Sequence, residues 1–198
     1  MDRGDISLQE ALEQHLLENG FPADGGATER WAVVRVGPIP VCFPNISARR
    51  KANPVHDLNH LLAGYGHDAL GEAEISAWEL GGGCKSYWVA WMLGCGAIVL
   101  GIFTAPGRLL RAFARGRRTG NLYGTDIEAL RQRPLEQVRH DLGLDHEYPI
   151  RVSDLALFVG LVLVAPILGA IPGAAAIVTS PWWIADGAYK RRRTVPAG

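Results

Sequence analysis

The pattern of apolar and polar positions divides the chain into segments of different kinds. Residues 6–19 carry Ile6, Leu8, Leu12, Leu16 and Leu17 at mostly helical spacing, and Gly20 and Pro22 stop that helix. Residues 31–36 are β-rich, Gly37 and Pro38 turn the chain, and residues 39–43 return. This predicts a short hairpin whose prolines confine its second strand to an edge. Pro54 suits the first turn of a helix capped by Asn53, and the Gly64-Tyr65-Gly66 turn ends it. A second helix is predicted over 69–80, capped by Asp68 and closed by Gly81-Gly82-Gly83. Glu72, Ile75 and Glu79 share one stripe of it. Residues 126–142 are amphipathic again, with Ile127, Leu130, Leu135, Val138 and Leu142 on the apolar side and Pro134 starting a new helix.

Two segments have no charge at all. Residues 86–107 form a run of 22, long enough to span a bilayer and rich in glycine. Residues 155–185 form a run of 31, interrupted by Pro166, Pro172 and Pro181. As one helix that run would be about 46 Å long, against an apolar bilayer core of about 30 Å. Trp182, Trp183 and Tyr189 beside Lys190, Arg191, Arg192 and Arg193 resemble an interfacial belt followed by cytoplasmic charge. A spanning 87–106 together with a single span at 155–185 would put the two basic clusters on opposite sides, against the charge rule. A core or surface-lying first segment and a tail hairpin that dips in and returns keep both clusters on the cytoplasmic side. The predicted fold is therefore mainly α: a helical bundle with a short β-hairpin near its start and a membrane-associated helical hairpin at its end. Its parts are 1–50, a helical core over 51–150, and an apolar tail over 151–198.

Charge and cysteine content narrow the classes. Twenty basic and twenty acidic residues cancel, which argues against a general nucleic-acid binder. Arg108, Arg111, Arg115, Arg117 and Arg118 cluster just after the first apolar run, and Lys190–Arg193 just after the second. Arg117, Arg118 and Lys190, Arg191, Arg192 and Arg193 are candidates for contact with anionic lipid or an anionic substrate. Cys42, Cys84 and Cys95 are scattered and odd in number, which suits a reduced, cytosol-facing location. The polar start lacks the pattern of a signal peptide.

The candidate chemistry lies in residues 56–72. His56 and His60 are four apart and share a helix face, with Asp57 about 100° round from His56. After eleven intervening residues comes Glu72, twelve positions from His60 and about 18 Å away along a continuous helix. The glycine turn would bring it back on an antiparallel helix. Two histidines with one or two carboxylates suit zinc or another divalent first-row metal. His56, Asp57, His60 and Glu72 are thus the candidate ligands. Tyr65, His67 and Glu74 are candidates to support them; Glu74 and His67 read more simply as a solvated carboxylate and a surface imidazole, Tyr65 as a packed aromatic. Six histidines are too few for the multi-box membrane di-iron hydroxylases. A second His-Asp doublet, His140-Asp141, lies in a polar helix and makes a phosphohydrolase of the His-Asp type a poor fit.

His56-Asp57-Leu58-Asn59-His60, eleven residues and Glu72 resemble the HDxxH-x11-E signature of the Coq4 family of ubiquinone biosynthesis proteins. A second stretch resembles that family's C-terminal helices: Gly116-Arg117-Arg118, Leu122, Asp126, Ile127-Glu128-Ala129-Leu130, Arg133-Pro134-Leu135, Val138-Arg139 and Leu142-Gly143. Together they cover about residues 50–145. The resemblance implies a helical, membrane-associated protein whose signature binds a metal, expected to be zinc. It implies a polyprenylated quinone precursor or other isoprenoid lipid as ligand, and other quinone-biosynthesis enzymes as partners. It implies either oxidative removal of the ring carboxyl at C1 or a non-catalytic organising role with a structural metal. The hairpin at 31–43 and the tail after 150 are additions to the family pattern.

Overall fold

The computed structural model describes residues 6–36 and 39–194. It is mainly helical, with an antiparallel two-stranded hairpin near the start and a long apolar helix at the end. Helix α1 is Leu8–Glu18; the hairpin is β1, Trp31–Val36, and β2, Ile39–Pro44. Then come α2, Ser47–Ala63; α3, Ala69–Gly82; α4, Trp88–Gly101; α5, Pro106–Gly116; α6, Leu135–Asp141; and α7, Val152–Thr194.

Local chemistry accounts for most of the boundaries. Ser7 caps α1 in a reciprocal pair with Glu10. Asp68 caps α3 by accepting the Gly71 amide at 2.7 Å. Gly64 ends α2 in the left-handed region at φ 77°, which glycine adopts without strain. Asn53 and Pro54 do not start a helix. Helix α2 begins a full two turns earlier at Ser47, and Pro54 sits inside it on an exposed position. The carbonyl that proline leaves unpaired belongs to exposed Arg50, where water can satisfy it. Asn53 instead bonds the Gly25 carbonyl and Asp57.

The core is a stack of α3, α4 and α5 with α2 across it, closed by Trp78, Ile75, Leu62, Ile98, Leu109 and Leu122. Small residues set the spacing. A Cβ on Gly116 would overlap the Trp78 carbonyl, so α3 and α5 touch backbone to backbone. Two arginines bond the last carbonyls of α2, Arg115 on Ala63 at 2.8 Å and Arg139 on Leu62. The segment around 116–143 thus lies against the helix that carries both histidines.

The helix within the 86–107 run is a core element, while Phe103 beyond it is exposed. This helix, α4, packs between α3 and α7, with Cys95 and Ile98 fully buried. The tail is one helix, not a hairpin: α7 runs 43 residues through all three prolines. Among the described residues it is the one helix long and apolar enough to cross a membrane, over Val152–Ile184. Its first turn is fixed by Asp154, which is fully buried and accepts from Arg117 at 2.7 Å, Arg118 at 2.5 Å and the Arg151 amide at 2.8 Å. Arg117 and Arg118 are therefore committed to an internal ion pair, which corrects their reading as lipid-facing side chains. The helix backbone includes Lys190, Arg191, Arg192 and Arg193, but their side chains lie outside the described residues.

Candidate metal centre

Helices α2 and α3 meet at the Gly64–Gly66 turn and face one another, which puts Glu72 beside both histidines. His56 Nε2 and His60 Nε2 are 3.1 Å apart. Glu72 reaches both, with one carboxylate oxygen 3.4 Å from His56 Nε2 and the other 3.4 Å from His60 Nε2. His56, His60 and Glu72 form a group that can hold a metal ion, with one donor atom from each lying within 4.8 Å of the others.

The outer nitrogens decide what the inner ones offer. His60 Nδ1 lies 3.1 Å from the Tyr65 carbonyl, which only accepts, so Nδ1 carries the hydrogen. His56 Nδ1 lies 3.1 Å from both oxygens of Glu79, which assigns its hydrogen in the same way. Both Nε2 atoms then turn lone pairs toward one another and toward a carboxylate. Three acceptors converge with no donor among them. Either a proton on His56 or a cation between the three relieves this. Burial pulls His56 down, but Glu79 and Glu72 outweigh it and hold its pKa well above the ordinary value. His60 is pulled down, chiefly by burial and further by His56 and His67, against Glu72. The Glu72 carboxyl is held far below the carboxylate range, because its contacts with His56, His60 and His67 exceed the opposing burial.

A ring of further groups orients these three. Glu79 is two turns along α3 from Glu72 and buried; it also accepts from the Asn59 amide at 2.8 Å. Asn59 in turn accepts the Leu122 backbone amide at 3.1 Å, tying the site to the loop after α5. Burial raises the Tyr123 phenol, and Glu79 adds to the rise. On the other side His67 stacks on His60, with ring centroids 4.1 Å apart, and points Nδ1 at Glu72 from 3.5 Å. His67 Nε2 in turn shares a hydrogen bond with His15 Nε2 of α1 at 2.7 Å. Such partners fix the tautomer and ring plane of a ligand histidine.

Several sequence expectations change here. Asp57 points out of the group: one residue past His56 carries it off the shared face, where its carboxylate accepts from Asn53 at 3.0 Å. Burial raises it to about 6, with His56, His67 and Arg49 opposing. His67 is not a surface imidazole but part of the site. Glu74 is buried rather than solvated, and is held by Arg108 through two bonds of 2.8 and 2.5 Å on the far side of α3. Tyr65 contributes its backbone carbonyl, while its ring lies under the Arg115 guanidinium at 5.6 Å. His140 and Asp141 are exposed on α6 and take no part. Glu79 was visible in the sequence as a position on the Glu72 stripe. Asn59 sits inside the signature itself, whereas His15 carried no signal, being 41 residues from His56 in sequence.

The site is open on one side. His60 is fully buried, but the side chains of His56 and Glu72 keep 25% and 36% of their exposure. Comparison with protein-family models, curated proteins and solved structures finds no match for this chain.

Proposed function

We propose that the chain is a metal-dependent enzyme of isoprenoid quinone biosynthesis, Coq4-like, acting at a membrane on a polyprenylated aromatic acid. The observation that carries the enzymatic part is the donor count. Three protein donors converge, Asp57 is turned away, and the side toward Glu72 is open. Structural zinc sites are closed by four protein ligands, whereas catalytic ones keep a position free. Two imidazoles and a carboxylate are a zinc donor set. A metal there would supply Lewis-acid stabilisation of charge developing on a ring oxygen or carboxylate. His56 and His60 present their Nε2 atoms, and Glu79 and the Tyr65 carbonyl keep those rings from turning. Glu72, steadied by His67, holds the open side. The reaction proposed is oxidative removal of the ring carboxyl at C1: the carboxyl leaves as carbon dioxide, a hydroxyl from water takes its place, and the two electrons and two protons released pass to dioxygen, an oxidant supplied from outside the chain. The length and charge-free composition of α7 support a location at the membrane, and the basic run Lys190–Arg193 after it supports the cytoplasmic face.

The test is metal content and turnover together. The purified chain should hold a stoichiometric divalent metal. His60→Ala and Glu72→Ala should lose it, and Asp57→Ala should keep it. The intact protein should convert a carboxylated, prenylated ring precursor. Full metal in His60→Ala would refute the site. Bound metal with no turnover of any such precursor would favour a non-catalytic organiser with a structural metal.

A further inference from the structure

Helix α7 has the length and composition of a membrane span, yet it does not stand apart from the domain. Its covered residues recur along one face: Asp154, Phe158, Ala165, Gly169, Ala176 and Asp186. At 100° per residue these fall within an arc of about 100° from one end to the other. Each meets a different part of the domain. Asp154 meets Arg117 and Arg118, and Phe158 meets Phe113 with ring centroids 5.5 Å apart. A Cβ on Gly169 would lie 2.8 Å from the Gly96 backbone, and Ala176 shares a cluster with Ala32 and Phe43. Asp186 accepts from the Trp31 indole at 3.2 Å. The docked length from Asp154 to Asp186 is about 48 Å at 1.5 Å per residue.

The opposite face is apolar and bare. Val159, Leu163, Ile177 and Ile184 are 48%, 71%, 76% and 62% exposed. Only 11% of the most apolar window is buried. Near its start this face shares an apolar groove with Ile102, Pro106 and Leu110 at the α4–α5 corner, where Phe103 is 87% exposed. The corner and the helix open onto one surface.

A crossing orientation conflicts with this docking. Gly96 of α4 meets Gly169, and on its other side α4 meets α3 through Gly94 on Leu80 and Gly101 on Ala73. With about 9 Å between packed axes, α3 lies beside the middle of α7, not beyond its end. If α7 crossed, Glu72, Glu79 and the Arg108–Glu74 pair would sit at hydrocarbon depth, where charge is disfavoured. The two-stranded hairpin docked on Ala176 would bring unpaired strand edges toward the same layer. Charge gives the same answer. Exposed Arg151 precedes α7 and Lys190–Arg193 end it, so a crossing helix would be basic on both sides. A helix lying flat meets anionic head groups at both ends.

We propose that α7 lies in the plane of the membrane along the domain's flank, its bare face in the lipid and its other face on the domain rather than in water. The chain is then monotopic, and the metal centre stays at the aqueous side of that surface. This rests on the membrane location proposed above, and two readouts separate the two ideas. The probe is vesicles of phosphatidylcholine with a minority of phosphatidylglycerol. Flotation tests the membrane location; spin labels at Val159→Cys, Leu163→Cys, Ile177→Cys and Ile184→Cys, which share one face, test the orientation. The unsubstituted chain, whose Cys42, Cys84 and Cys95 are buried, gives the background. The expected result is flotation with all four labels at one shallow depth. Flotation with a depth that differs by about 15 Å between the middle labels and the ends would overturn the flat orientation alone. Failure to float would overturn both, and flotation with labels that stay in water or bury only in a dimer would overturn the flat orientation alone.

Discussion

The candidate metal centre and α7 are held to the same domain by opposite means. The centre is built from directional bonds: His56 to Glu79, His60 to the Tyr65 carbonyl, His67 to His15, Asn59 between Glu79 and Leu122. Each group there has a partner that restricts its rotation. Helix α7 is held by one narrow stripe of small and apolar residues, with polar anchors at Asp154 and Asp186 near its ends. A site that must present two lone pairs at 3.1 Å needs angles fixed. A helix with one face on the domain and the other bare needs only to be prevented from rolling or detaching. The contrast predicts that substitutions in the centre change metal affinity more than stability, and those along α7 the reverse.

The largest effect should come from the platform beneath both. Gly116→Ala forces a methyl group into the Trp78 carbonyl and parts α3 from α5, costing about 3 kcal/mol or more. Thermal unfolding monitored by circular dichroism should show a steep fall in midpoint; an unchanged midpoint would mean the two backbones are not in contact. Next is Asp154→Ala, which strands Arg117 and Arg118 against a docked helix and should cost about 3 kcal/mol. Proteolysis should then nick the junction before α7. Acid should do the same. Burial would raise Asp154, but the Arg151 amide, Arg118 and Arg117 outweigh it and hold its pKa below 3.8. Its contribution is therefore complete above that value and is lost as the pH falls through the lowered one.

In the centre, Glu79→Gln should weaken metal affinity by about 10- to 100-fold in chelator competition while leaving the unfolding midpoint nearly unmoved. If affinity held and only stability fell, Glu79 would be a packing residue. His67→Ala should cost less, about tenfold, because Glu72 keeps its contacts with His56 and His60. Smallest in stability is Ile177→Asp on the bare face of α7, within about 0.5 kcal/mol of the original, yet it should abolish vesicle binding. Retained flotation would show that this face does not meet lipid.

Much of the local design was readable along the chain. The His56–His60 spacing, the Asp68 cap, the left-handed stop at Gly64 and the return of Glu72 follow from helical period and turn chemistry. The exclusion of Asp57 was also latent in that period, since one residue past His56 turns about 100°. Pro54 misled because a proline is most at home in a first turn, and its place inside α2 is tolerated only where Arg50 meets water. Glu74 misled because a carboxylate in an apolar helix gives no sign of the arginine, 34 residues on, that will neutralise it.

The sequence by itself determined the helical period of α1, of the later part of α2, of α3 and of α6, the turn at Gly64, and that His56, His60 and Glu72 come together once α2 and α3 pack antiparallel. Those are properties of neighbours within a few turns, governed by period, capping and backbone freedom. Only the tertiary structure decided that His15 and Asn59 complete the surroundings of the site, that Arg117 and Arg118 are spent on Asp154, and that the charge-free tail is one docked helix. Each depends on groups tens of residues apart in sequence. A charge-free run states only that water is disfavoured around it; what replaces water on each side is settled by the domain that packs against one face.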